Sequence, residues 1–154
     1  MTLVVRLAGP ADLPAVFAVR HVVFVQGQGV PQDLERDELD ACAEHAVAVR
    51  DGRVVGTGRL LDGRTDESGR LVPGSAGTVG TVGRMAVLDE VRGGGAGRAV
   101  LDLLVATAAA HGWPVVELHA QVHARGFYER AGFEPYGEVY LEAGIEHVGM
   151  RREL

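Results

Sequence analysis

Between Arg92 and Arg98 the chain reads R-G-G-G-A-G-R, two arginines bracketing five residues that are all Gly or Ala. A strand-like run through Val79, Val82, Met85, Val87 and Leu88 precedes it, and a helical run from Arg98 to His111 follows. A strand feeding a helix through such a turn gathers backbone N–H groups and the positive end of the helix at one spot. Glycines there let an anion approach the backbone, and Arg92 and Arg98 supply positive charge for a phosphate. So many glycines are costly in backbone entropy, which makes a turn without a ligand the weaker reading. A dinucleotide fingerprint G-x-G-x-x-G fails in both registers, because its third glycine falls on Arg98 counted from Gly93 and on Val100 counted from Gly95. A nicotinamide-dependent oxidoreductase is therefore only an alternative.

The chain supporting this turn has 154 residues, 47% hydrophobic and 23% charged, the length and composition of one globular domain over 1–154. It contains no lysine and no asparagine, which removes Schiff-base lysine chemistry, N-glycosylation and a P-loop. A net charge of −6 with scattered arginines speaks against a nucleic-acid partner, and no apolar run is long enough for a membrane. One cysteine, Cys42, and an N-terminus without a signal-like stretch point to the cytosol. Leu3–Leu7 reads as a strand and Pro10 to Phe24 as a helix; a second short helix is expected over Asp33–Ala43. The acidic set Asp33, Glu35, Asp37, Glu38 and Asp40 on it is expected to be a solvated face. Ala46–Val49 and Arg53–Leu61 around Asp51-Gly52 form a hairpin. Residues 62–77, rich in Gly and Pro, are expected to be a mobile loop whose length suggests function. Val115–His119 reads as a strand, Gln121–Ala131 as a helix closed by Gly132, and Phe133–Leu141 with His147–Arg152 as a final strand pair.

Within the turn, Arg92, Gly95 and Gly97 make R-x-x-G-x-G, and A-R-G-F-Y-E-R-A-G-F follows about 30 residues later. In these motifs the chain resembles the GCN5-related N-acetyltransferase (GNAT) family, whose pyrophosphate loop reads Q/R-x-x-G-x-G/A after the fourth strand. F-V-Q-G-Q-G-V-P, D-E-L-D, A-Q-V-H-A and E-V-Y-L-E-A-G-I-E-H-V-G-M resemble the ElaA-type subgroup, so the likeness covers most of residues 20–150. It implies an α/β fold with a mixed, mostly antiparallel sheet, splayed near its centre and flanked by helices. It also implies acetyl-CoA as co-substrate, with no metal. The pyrophosphate would lie on Arg92, Gly93, Gly94, Gly95, Ala96, Gly97 and Arg98, and the pantetheine arm on backbone groups of Met85, Ala86 and Val87. Gln121 stands where many members carry Asn at the cofactor-facing start of a helix.

Acetyl transfer to an amine requires the cofactor held, the amine neutral, the carbonyl oxygen stabilised and a proton for the leaving thiolate. The family often uses a tyrosine at the position of Tyr128 for that proton. His45 and His147 are candidate bases because imidazole titrates near neutral pH, although a lone histidine is more often structural. Glu44, Glu142 and Glu146 are equally surface charges or anchors for a cationic acceptor. His119 and His123 lack a third ligand at sensible spacing for a metal, and Cys42 is expected to be a small buried side chain. The expected function is direct acetyl transfer to an amine of a small molecule or peptide, in a family that also forms homodimers. A non-catalytic CoA-binding sensor is the other alternative.

Overall fold

The structure, a computed structural model, describes residues 2–154. Its elements in chain order are β1 (Leu3–Leu7), α1 (Leu13–Arg20), α2 (Gln32–Glu35), β2 (Glu44–Arg50), β3 (Arg53–Asp62), β4 (Gly80–Val87), α3 (Ala96–Ala110), β5 (Val115–Gln121), α4 (Arg125–Arg130), β6 (Glu134–Glu142) and β7 (Ile145–Glu153). The strands form one mixed seven-stranded sheet in the order β1-β2-β3-β4-β5-β7-β6, the α/β architecture expected. Two compact units share this chain: residues 2–59 with Arg84–Leu104, and Leu60–Gly83 with Val105–Leu154.

In the first unit β1 pairs antiparallel with β2 from Leu3↔Arg50 to Leu7↔Ala46. The Asp51-Gly52 turn has positive φ at both residues, 52° and 77°, the primed geometry that matches strand twist and joins β2 to β3. Gly58 on β3 gives α3 room to pack: a Cβ there would lie 3.0 Å from both Val100 and Leu104 and 2.5 Å from Met85 Sδ. The expected long first helix is only partly α. After Arg20 the chain continues as a π-helix over His21–Gln26, a rarer winding that recurs at functional sites. The expected second helix splits into α2 and a 3₁₀ turn over Glu38–Ala41, because Asp37 caps the latter by accepting from Leu39 N at 3.1 Å.

In the second unit the parallel register of β4 with β5 is short, Gly80↔Val116 to Val82↔Leu118, and β4 then runs on to Val87. A short register of this kind is what a splayed sheet requires. β5 pairs antiparallel with β7 along its whole length, Val115↔Glu153 to Gln121↔His147. A second positive-φ pair, Ala143 at 51° and Gly144 at 76°, makes the β6–β7 hairpin. The expected helix over Gln121–Ala131 is α only across Arg125–Arg130, after a 3₁₀ turn. Residues 62–77, expected to be a loop, form a segment tied by local hydrogen bonds. Asp66 accepts from Ser68 N, Ser68 Oγ and Arg70 N, Gly77 N donates to Asp62, and Thr65 bridges Leu71. No helix among the described residues is long and apolar enough to cross a membrane.

Candidate active site

The glycine-rich turn lies where the sequence places it, between β4 and α3. Gly93 and Gly95 have φ of 83° and 86°, a region costly for most side chains, and a Cβ at either would meet nothing within 4 Å. The turn is therefore an open cradle at the first turn of a fifteen-residue helix, whose leading N–H groups have no carbonyl of their own helix to bond. Arg92 folds back, with Nε donating to Val87 O at 3.2 Å and Nη1 paired to Asp89 at 2.6 Å; Arg98 pairs with Asp102 at 2.9 Å. Both pairs are exposed and weak, so a phosphate can displace the carboxylates. A cleft of about 160 Å³ lined by Val22, Val23, Gly27, Gln28, Asp89 and Arg92 brings the π-helix to this turn.

Met85, Ala86 and Val87 occupy the end of β4, and the residue before them is unusual. Arg84 has φ 52°, a left-handed conformation in mid-strand that costs about 1 kcal/mol for a non-glycine residue. Its side chain holds it there. Nε donates to Glu35 O at 2.9 Å, and Nη2 donates to Leu34 O and to Asp37 Oδ2, both at 3.2 Å. Such an irregularity re-aims the backbone groups that follow, here those expected to meet the pantetheine.

Behind Arg84 the acidic set is the solvated face expected only at Asp33 and Glu38, which are exposed. Glu35 and Asp40 are buried, because Arg20, fully buried on the inner face of α1, lies between them. Arg20 Nε donates to both Glu35 oxygens at 3.0 and 2.9 Å, and Nη1 to Asp40 at 2.6 Å; Arg59 donates to Asp37 at 2.7 Å and Asp40 at 2.9 Å. Burial opposes ionisation of Asp40, yet hydrogen bonds and charge from Arg20, with Arg59 beyond it, hold its pKa below the usual carboxylate range. His45 joins this cluster. Its Nε2 donates to Asp40 O at 3.0 Å, its Nδ1 is buried without a partner, and Phe17 lies edge-on to its ring. Cys42, expected buried, is exposed, with Sγ donating to Leu39 O at 3.3 Å.

In the second unit Tyr128 is nearly buried on α4, its ring edge-on to Phe127 and Phe133. Burial pushes its pKa up to about 12, so the hydroxyl keeps its proton at neutral pH. Gln121 closes β5, with Oε1 accepting from His123 Nε2 at 2.6 Å. His147 stands opposite Gln121 on one side and Tyr140 on the other. Its Nδ1 donates to Ile145 O at 2.7 Å and its Nε2 faces Glu142 at 3.5 Å. His119, considered above only as a metal ligand, instead contacts Tyr140 through Nδ1 and Thr65 through Nε2. No group that could hold a metal ion occurs among the described residues. Tyr140 was not singled out by the sequence, although the β6–β7 hairpin register alone places it across from His147.

A glycine-rich turn after the fourth strand of a mixed seven-stranded sheet is the arrangement of an acyl-CoA N-acyltransferase fold. The profile of the acetyltransferase (GNAT) domain family matches residues 20–154, and the chain belongs to that family of enzymes. It is 34% identical to Protein ElaA of Escherichia coli (strain K12) over 147 residues, 94% of this chain and 89% of that protein. The crystal structure of Escherichia coli ElaA superposes with a TM-score of 0.79 at 27% identity, covering 99% of this chain and 100% of that one. An acyl-CoA N-acyltransferase from Pseudomonas aeruginosa gives a TM-score of 0.80 at 33% identity over 98% of this chain and 99% of its own. This membership replaces the nicotinamide alternative.

Proposed function

We propose that residues 1–154 act as one N-acetyltransferase domain that moves the acetyl group of acetyl-CoA directly to an amine of a small molecule or peptide. The open cradle of Arg92–Arg98 at the start of α3 carries this reading. Gly93, Gly95, Ala96 and Gly97 offer backbone N–H groups with little side chain to obstruct them, Gly94 closes the turn by donating its N–H to Val91 O at 3.2 Å, and Arg92 and Arg98 exchange Asp89 and Asp102 for phosphate oxygens. Backbone groups of Met85, Ala86 and Val87, aimed by Arg84, hold the pantetheine arm, and Gln121 adds a polar contact. Bound acetyl-CoA supplies an activated thioester. Tyr128, protonated at neutral pH, gives its proton to the departing thiolate. The chain works in the cytosol, where a free exposed thiol such as Cys42 stays reduced.

Calorimetric titration with acetyl-CoA, CoA and NAD, followed by thiol release with a panel of amines, tests the proposal. Preference for NAD, or no binding of acetyl-CoA, overturns it; binding without thiol release favours the sensor alternative. Tyr128→Phe is expected to lower kcat by roughly 100-fold while leaving acetyl-CoA affinity within about twofold. Arg84→Ala is expected to act the other way, weakening acetyl-CoA binding by roughly tenfold, or about 1.4 kcal/mol, with the fold intact. Unchanged affinity in that variant would show that the left-handed residue does not aim the cofactor strand.

A further inference from the structure

Tyr140 on β6 and His119 on β5 form a hydrogen-bonded pair with a fixed direction. His119 Nε2 lies 3.1 Å from the Thr65 carbonyl oxygen, which can only accept, so this nitrogen carries the ring proton. Nδ1 is then the lone-pair nitrogen, and the Tyr140 hydroxyl donates to it at 2.5 Å. The phenol oxygen keeps lone pairs with which to accept a proton. His147 of β7 stacks beside the Tyr140 ring, with centroids 5.9 Å apart and planes at 27°. Burial, together with the negative charge of Glu142 on the same strand and Glu67 on the tied segment, and with Tyr136, raises the Tyr140 pKa. The hydroxyl is therefore neutral, while two carboxylates near it favour a cation. The row Gln121, His147, Tyr140 runs straight across β5, β7 and β6.

We infer that Tyr140, backed by His119, takes the proton from a cationic primary-amine acceptor, which Glu142 and Glu67 attract as its ammonium. The inference rests on the acetyltransferase reading above. The ammonium N–H bond breaks as its proton passes to the Tyr140 oxygen, and the Tyr140 proton passes to His119 Nδ1, leaving an imidazolium. The freed nitrogen lone pair forms the C–N bond to the thioester carbonyl carbon, and the C–S bond breaks with its electron pair leaving on sulfur. The thiolate takes the Tyr128 proton; Tyr128 is restored by the second proton that the nitrogen sheds on becoming an amide. His119 returns its proton to solvent. Tyr140 is thus a catalytic residue and His119 a positioning and proton-storing residue behind it.

Thiol release from acetyl-CoA, measured with ethylamine and with trifluoroethylamine, separates proton removal from everything else. The first amine is protonated at neutral pH and the second is already neutral. Tyr140→Phe is expected to lower kcat with ethylamine by roughly 100-fold, and with trifluoroethylamine by less than about threefold, with KM for acetyl-CoA unchanged. His119→Gln is expected to show the same contrast and to lose the acidic limb of the ethylamine pH profile, since only an unprotonated His119 can receive the relayed proton. Of the neighbouring groups, His147 faces Glu142, and Glu117 paired with Arg64 lies at Tyr136. The limb must therefore vanish in His119→Gln and persist in His147→Gln. Equal losses for the two amines, or no loss, overturn the relay while the acetyltransferase reading stands. No thiol release by the unaltered protein with either amine, together with no acetyl-CoA binding, overturns that reading, and the relay falls with it.

Discussion

Gly95→Asp is expected to lower the affinity for acetyl-CoA by at least 100-fold, about 2.8 kcal/mol, with the protein still folded. The fold survives because a Cβ at Gly95 meets nothing within 4 Å. A φ of 86° is also better tolerated by Asp than by most residues. Affinity is lost because the new carboxylate stands in the cradle proposed for the pyrophosphate. Two like charges about 4 Å apart repel by about 1 kcal/mol in water and about 4 kcal/mol near a protein surface, and a pyrophosphate presents more than one charge. Gly95→Asn separates charge from bulk: nearly isosteric and neutral, it should keep most of the affinity. Gly97→Asp gives a further contrast, since an acid in the first turn of α3 favours the helix dipole while obstructing the phosphates. Its melting temperature should hold or rise as binding disappears. Calorimetry and thermal unfolding of the three variants check this, and an affinity for acetyl-CoA equal to wild type in Gly95→Asp would remove the pyrophosphate assignment.

The cradle was legible in the sequence because it is local: strand, glycines, arginines and helix follow one another within one stretch of chain. The Asp51-Gly52 hairpin was legible for the same reason. What escaped depends on pairing between distant segments. His119 meets Tyr140 and Thr65 only after β5, β6 and the tied 62–77 segment come together, and no periodicity encodes that meeting. The hairpin at Ala143-Gly144 was within reach, for a two-residue turn there fixes Tyr140 opposite His147. The acidic set misled because runs of carboxylates are usually solvated. The missed signal was Arg20, which falls between Val16 and Val23 on the apolar face of its helix and so must bring its own counter-ions inside. The local ties of residues 62–77 were not legible either, because Asp66, Ser75, Thr81 and the Thr65–Leu71 bridge satisfy that segment's backbone through contacts the composition does not encode.

Arg20→Met should lower the free energy of unfolding by about 3–5 kcal/mol, the cost of stranding buried charge. Arg20 holds Glu35 through two hydrogen bonds and Asp40 through two more, and donates to the Glu35 carbonyl at 2.8 Å. Without it Asp40 retains Arg59, but Glu35 keeps only the longer 3.3 Å contact with Arg84. Arg20→Met with Glu35→Leu should therefore recover part of the loss, since removing both partners leaves less uncompensated charge than removing one. The pH dependence has a definite sign. Asp40 and Asp37 have folded-state pKa values below their unfolded ones, although burial alone would raise them, because the arginines stabilise the carboxylates. Their contribution is complete above the unfolded value of about 4 and is lost as the pH falls below it. Urea unfolding across this range should thus show stability falling steeply with acid in the native protein and more gently in Asp40→Asn, which starts lower. The same network fixes the carbonyls of Leu34 and Glu35 that hold Arg84 in its left-handed conformation. Arg20→Met should therefore also weaken acetyl-CoA binding under conditions where it remains folded, whereas full affinity would separate the network from the cofactor strand and confine it to stability.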